Sequence, residues 1–114
     1  MSTQSSLSHH GLIVWDRAVE LCQLCHRYPI RDSELRRQSQ KAATSVALNI
    51  AEGAGQEGGC RGRHFKIAKG SVTEVVAAYE IAHAIGERPP LGEVMALGNR
   101  IAAMLSGLIR SRSR

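Results

Sequence analysis

From residue 12 onward the apolar positions return at intervals of three and four. Leu12, Trp15, Ala18, Val19, Cys22 and Cys25 form the first such run, and this spacing lines them along one face of an α-helix. Tyr28-Pro29 ends it, because proline has no N–H to continue the ladder. A second helix is capped by Asp32 or Ser33 and carries Leu35, Gln38, Ala42, Ser45, Val46, Asn49 and Ile50 as its inward stripe, with Gly53 closing it. The following GAGQEGG is glycine-dense and reads as an exposed loop. The third helix is predicted to begin between 60 and 63 and to reach Ile85, with Phe65, Ala68, Val72, Val75, Tyr79 and Ala82 inward; Gly86 and Arg88-Pro89-Pro90 break it. Leu91, Val94, Leu97 or Gly98, Ile101, Met104, Leu105 and Leu108 mark the apolar side of a fourth helix. Four helices on short connections predict an all-α, antiparallel up-down-up-down four-helix bundle over residues 11–109. Residues 1–10, polar and Ser-rich, are expected to be a disordered N-terminal tail, and residues 110–114 a basic C-terminal tail.

Composition sharpens this picture. A chain of 114 residues has room for one domain and one core. Hydrophobic residues make up 43% but aromatics only 4%, so the core must be built from Ala, Val, Leu and Ile, which suits close-packed helices better than sheets. No stretch approaches the roughly 18 apolar residues of a membrane span, and the N-terminus lacks the basic start and apolar run of a signal peptide. A cytoplasmic location is therefore expected. The odd count of three cysteines argues for free thiols.

One polar group interrupts the second helix. In SVALNIAEGAG, residues 45–55, Asn49 sits among small apolar neighbours. A buried amide without partners costs about 1–3 kcal/mol, so Asn49 is expected to bond Ser45 one turn back, Ser71 or a backbone carbonyl. Glu52 stands at a helix C-terminus, where the macrodipole disfavours an acid; Lys66, Lys69 or an Arg of a neighbouring subunit is the expected counter-charge. Gly70-Ser71 lies in mid-helix, and the expected reason for Gly70 is close approach to Ala43, Val46 or Ala47.

Catalytic and cofactor chemistry finds little support. Cys22-Gln23-Leu24-Cys25-His26 matches the C-x-x-C-H pattern of haem attachment, but both cysteines fall on the apolar helix face, where free Cys behaves as a small hydrophobe. Cys22, Cys25, Cys60 and His64 could formally make a Cys3His zinc set; the expectation remains no metal and no cofactor. His26, His64 and His83 stand far apart from one another in the sequence, and none belongs to a recognisable catalytic motif. No phosphate loop, nucleophile elbow or paired acids appear, so an enzyme is not expected.

The residues Val14-Trp15, Ala18, Glu20-Leu21 and Tyr28-Pro29, then Leu35, Gln38, Lys41-Ala42-Ala43, Ser45-Val46 and Asn49-Ile50-Ala51-Glu52-Gly53, then Ile67-Ala68, Gly70-Ser71 and Glu74 form an ordered set across three helices. In this set the chain resembles the bacterial four-helix-bundle family first met as reading frames in intervening sequences of 23S rRNA genes, which includes the accessory variability determinant proteins of diversity-generating retroelements. The resemblance implies a small all-α protomer that assembles into a ring-like homopentamer with a basic surface. It also implies, from the retroelement members, an accessory role with nucleic acid and a reverse transcriptase. Ser45, Asn49, Glu52, Gly53, Gly70, Ser71 and Glu74 are the structural motif residues in this reading. The chain departs from the family in its loop after Glu52-Gly53, which is one residue shorter, with Gln56 and Arg61 near the family's basic and acidic-Phe positions.

Charge adds the remaining signal. The chain carries a formal +5 at pH 7 with a pI near 9.6, and five copies would carry about +25, a multivalent field for phosphates. Candidate nucleic-acid contacts are Arg36, Arg37 and Lys41 on the second helix, Arg61, Arg63, Lys66 and Lys69 on the third, and Arg110 and Arg112 at the end, with Arg100 and Arg114 adding to the basic balance. Trp15 and Phe65 are expected to be buried, leaving no base-stacking platform. The expected function is a non-catalytic, oligomeric nucleic-acid-binding accessory; the alternative is a purely structural or protein-interaction scaffold. Leu12, Ile13, Val76 and Ile109 are expected to remain apolar outside the bundle and to face a neighbouring subunit.

Overall fold

The computed structural model describes residues 7–112. It contains four helices, α1 (Ile13–Arg27), α2 (Ser33–Ala54), α3 (Gly58–Ala84) and α4 (Leu91–Arg112), and no strand among the described residues. The helices close a cycle: α1 packs on α2, α2 on α3, α3 on α4 and α4 on α1, with no close backbone approach across either diagonal among the described residues. The α2–α3 pairing is the most extensive. The shortest extent, 21 Å, is about two helix diameters, as expected for two layers of paired helices. No helix among the described residues is long and apolar enough to cross a membrane.

The core is aliphatic with two aromatic anchors. Phe65 and Tyr79 of α3 are fully buried, among Ala42, Ala43, Val46 and Ile50 of α2, Ala18, Leu21 and Cys25 of α1, and Val94, Ile101 and Leu105 of α4. The predicted inward stripe of α3 is buried throughout. On α1 the buried line is instead Val14, Ala18, Leu21 and Cys25, with Trp15, Val19 and Cys22 half-buried at its flank. The three-four spacing fits both lines, and contact with α2 and α4 together selects the one between them. Trp15 is thus only half-buried, its ring meeting His9 edge-on at 4.4 Å. On α2 the buried face is Ser39, Ala42, Ala43, Val46, Ala47, Ile50 and Gly53, which leaves Leu35, Gln38, Ser45 and Asn49 half-buried at the seam.

The expected GAGQEGG loop shrinks to residues 55–57, because Gly53 and Ala54 stay in α2 while Gly58 and Gly59 already belong to α3. Tertiary contact requires the glycine at 53: a Cβ there would lie 2.7 Å from Phe65 Cε1 and 3.2 Å from His64 Cβ. Gly98 of α4 plays the same part against Val76, whose Cγ2 would lie 2.8 Å from an added Cβ. This contact also accounts for Val76, which packs inside the protomer.

Residues 28–32, between α1 and α2, are tied from three sides. Tyr79 donates its hydroxyl to the Tyr28 carbonyl at 2.8 Å. The Glu87 carboxylate accepts from the Arg31 and Asp32 backbone N–H groups at 2.8 and 3.0 Å. Arg36 donates to the carbonyls of Ile30 and Arg31. Asp32 itself caps α2, accepting from the N–H groups of Glu34 and Leu35, a type of contact worth about 1 kcal/mol. At the start of the described chain, residues 7–10 form a turn closed by the His10 N–H on the Leu7 carbonyl; the rest of the expected N-terminal tail lies outside the described residues. The expected C-terminal tail begins inside α4, so that Arg110 stands on a helix.

Two expectations for stability follow. Gly53→Ala should cost about 1–2 kcal/mol in urea unfolding, since overpacking Phe65 outweighs the gain in helix propensity; an unchanged or raised midpoint would refute this packing role. Burial pushes the Cys25 thiol from 9.0 up to about 11 and raises the Tyr79 phenol in the same sense. Between about pH 9 and 11 the unfolded chain releases the thiol proton while the folded chain keeps it, so stability falls as pH rises, by on the order of 2 kcal/mol from Cys25. Thermal melts of the wild type and Cys25→Ala across that window should show a shallower fall in the variant.

Candidate nucleic-acid interface and its polar seam

A polar ladder stitches α2 to α3. Asn49 Nδ2 donates to the Ser45 carbonyl at 2.9 Å and to Ser45 Oγ at 3.2 Å. Ser45 Oγ and Ser71 Oγ share a hydrogen bond at 2.9 Å across the seam. The remaining oxygen of Asn49, Oδ1, lies 2.9 Å from His64 Nδ1. Because Oδ1 can only accept, His64 Nδ1 carries the hydrogen. The Ser45 contacts are those expected from the sequence. His64 is an addition, since its partner is an amide on the neighbouring helix and no spacing along one helix signals it.

The other motif residues divide. Gly53 is the notch that seats Phe65, as described above. Glu74 is exposed and, with Arg37, Lys41, Ser45 and Ser71, lines a cleft of about 260 Å³ between α2 and α3. Glu52 is exposed and forms no ion pair with Lys66 or Lys69 among the described residues, because both lysines turn toward α4 rather than α2. Gly70 does not approach α2 either: it is exposed, and a Cβ there would meet nothing within 4 Å. Close packing therefore offsets none of its helix-propensity cost of about 1 kcal/mol relative to Ala.

The candidate basic residues also separate. Arg36 serves the connection at residues 28–32. Arg37 is engaged by Glu34, with Nη2 to Oε2 at 2.7 Å; this partner, with Gln38, holds the Glu34 carboxyl down at about 2. Arg61 stacks 4.8 Å from the Phe65 ring centroid and reaches the Gly53 carbonyl at the end of α2. Lys41 and Arg63 are exposed on α2 and α3. The side chain of Arg112, and Arg114, lie outside the described residues. Lys66 and Lys69 of α3 converge with Arg110 of α4 on one groove of about 480 Å³. No acid lines it, and none of the three forms an ion pair among the described residues. By contrast, the α1–α4 groove, of about 450 Å³, mixes Glu20 and Glu93 with Arg27 and Arg100.

The cysteines are separated by burial. Cys25 is fully buried, Cys22 donates to the Ala43 carbonyl at 3.3 Å, and Cys60 is exposed in the first turn of α3. Burial raises both helix-one thiols above their ordinary range. Among the described residues no three His, Cys, Asp or Glu side chains gather closely enough to hold a metal ion, so Cys22, Cys25, Cys60 and His64 are not brought together as a zinc set.

A family model described as 23S rRNA-intervening sequence protein matches residues 10–107. Comparison with curated proteins and with solved structures gives no match.

The ladder predicts energetic coupling. Asn49→Ala should lower stability by about 1–2 kcal/mol by stranding Ser45 and His64. The Asn49→Ala, His64→Ala double variant should lose at least about 0.5 kcal/mol less than the sum of the single losses. Simple additivity in denaturant unfolding would show that the 2.9 Å contact carries no energy.

Proposed function

The chain belongs to the 23S rRNA-intervening sequence protein family, and on that footing we propose that it is a non-catalytic accessory protein that binds RNA or DNA through its basic surface. The observation that carries this reading is the convergence of Lys66, Lys69 and Arg110 on a groove without acids. Such a site neutralises phosphates and reads no base edge, so binding is salt-dependent and sequence-tolerant. In this reading the protein is cytoplasmic, and a reverse transcriptase is its candidate protein partner, as for the retroelement proteins it resembles.

The proposal includes an antiparallel up-down-up-down arrangement and assembly into a ring of five. The connections at 28–32, 55–57 and 85–90 support the first, because the shortest, at full extension, reaches about 10 Å, far less than the roughly 33 Å length of α2. Exposed Ile67 and Ile81 on α3 and Ile85 just beyond its end, with Leu48 on α2, supply apolar surface for self-association. Leu12 and Ile13 add an apolar groove against Met104 and Leu108 of α4. These apolar faces equally support the second reading, a scaffold that contacts proteins alone.

Native mass spectrometry before and after nuclease treatment, with oligonucleotide anisotropy at 50 and 200 mM salt, separates the two. For three phosphate contacts per site, affinity should fall roughly 20- to 40-fold between those salt concentrations. Binding that ignores salt, or a clean oligomer that never carries nucleic acid, would overturn the nucleic-acid reading in favour of the scaffold.

A further inference from the structure

Gly70 is an unusual choice for its position. It lies deep inside α3, where glycine lowers helix propensity. Gly53 and Gly98 are required by Phe65 and Val76, but Gly70 faces open space. Gly62, in the same helix, is also without near neighbours, yet it stands outside the groove that Gly70 lines. Lys66, Lys69, Gly70 and Thr73 recur at i, i+3, i+4 and i+7, one face of α3. Across from them on α4 stand Ser106, Ile109 and Arg110. Gly70 is thus the floor of a groove rimmed by three cations and two hydroxyls.

We infer that Gly70 keeps this floor clear so that the sugar-phosphate backbone of a nucleic-acid strand can approach the helix, with neighbouring phosphates of the strand seated on Lys66, Lys69 and Arg110. The inference rests on the nucleic-acid reading above and deepens it by assigning the contact. Arg110 offers a planar fork to phosphate oxygens, the lysines offer compact charges, and Ser106 can add a neutral donor, while the Thr73 hydroxyl donates to the Lys69 carbonyl at 3.4 Å. A side chain at position 70 would fill the space that the strand needs. Glycine is used here for access, in the way that backbone approach to a ligand requires it elsewhere.

The test uses the full chain and the variants Gly70→Ala, Gly70→Leu and Lys69→Gln, with thermal melts and anisotropy of a labelled oligonucleotide at 50 and 200 mM salt. Gly70→Ala should melt higher than wild type, since nothing crowds the added methyl. Gly70→Leu should remain folded while binding at least tenfold more weakly, and Lys69→Gln should reduce the salt slope by about one. If Gly70→Leu is folded and binds with wild-type affinity and salt slope, the groove assignment fails while the nucleic-acid reading stands. If wild type binds no oligonucleotide at any salt, that reading fails and this one with it. Should Gly70→Leu fail to fold, a Thr73→Leu variant blocks the same groove from its next turn and carries the same two outcomes. Inorganic phosphate at constant ionic strength is the last arm: a rise in melting temperature with millimolar phosphate that Lys69→Gln abolishes and Gly70→Leu leaves unchanged, with no oligonucleotide bound, would assign the groove to the free anion and overturn the strand assignment.

Discussion

A core with one phenylalanine must find its density in the approach of backbones, and the α2–α3 seam is where this chain does so. Ala42, Ala43 and Ala47 of α2 and Ala68 and Ala78 of α3 are all buried, and short side chains let packed helices lie close. A surface of alanines is smooth, however, and alone would tolerate sliding by a turn. Two features remove that freedom. Phe65 enters the notch at Gly53, and the Ser45, Asn49, Ser71 and His64 ladder pairs donors with acceptors only at one axial setting. Polar groups at the edge of an apolar seam thus specify register, while the apolar groups supply most of the adhesion.

That rigid seam has a consequence for charge. Since α3 is fixed by its α2-facing side, its opposite face is free to carry Lys66 and Lys69 toward α4 at constant separation. The basic residues spent elsewhere show how little formal charge reveals by itself: Arg36 satisfies loop carbonyls, Arg37 answers Glu34, and Arg61 lies over Phe65. A positive balance read from composition becomes a localised field only after these internal uses are subtracted.

Helix number, order and most inward positions were legible in the sequence because the three-four periodicity is long and the breaks at Tyr28-Pro29 and Pro89-Pro90 are strong. Local rules misled where tertiary contact outweighed them. Glycine density made residues 53–59 look like a loop, but Gly53 is a helical notch required by close approach of Phe65, and α3 starts at Gly58. On α1 the periodicity fitted two adjacent lines equally, and packing chose the other. Within the site, the bond from Asn49 to Ser45 was legible from their i, i+4 spacing, whereas His64 was not, because its partner lies across the seam. Gly70 was assigned to packing by the usual meaning of a mid-helix glycine, and only the three-dimensional neighbourhood shows that the space beside it is empty.

The Glu87 clamp concerns order in time as well as position in space. Its carboxylate joins partners 56 and 55 residues away along the chain, whereas α1 with α2, α2 with α3 and α3 with α4 are sequence neighbours. Contacts between neighbours close short loops at small entropic cost, and distant ones must wait until the intervening chain is already organised. The three consecutive helix pairs can therefore zip locally, and the closure that brings α1 against α4 and locks Glu87 onto residues 31 and 32 belongs at the end of folding. Low contact order for most of the molecule, with one late latch, is the kinetic signature this topology carries.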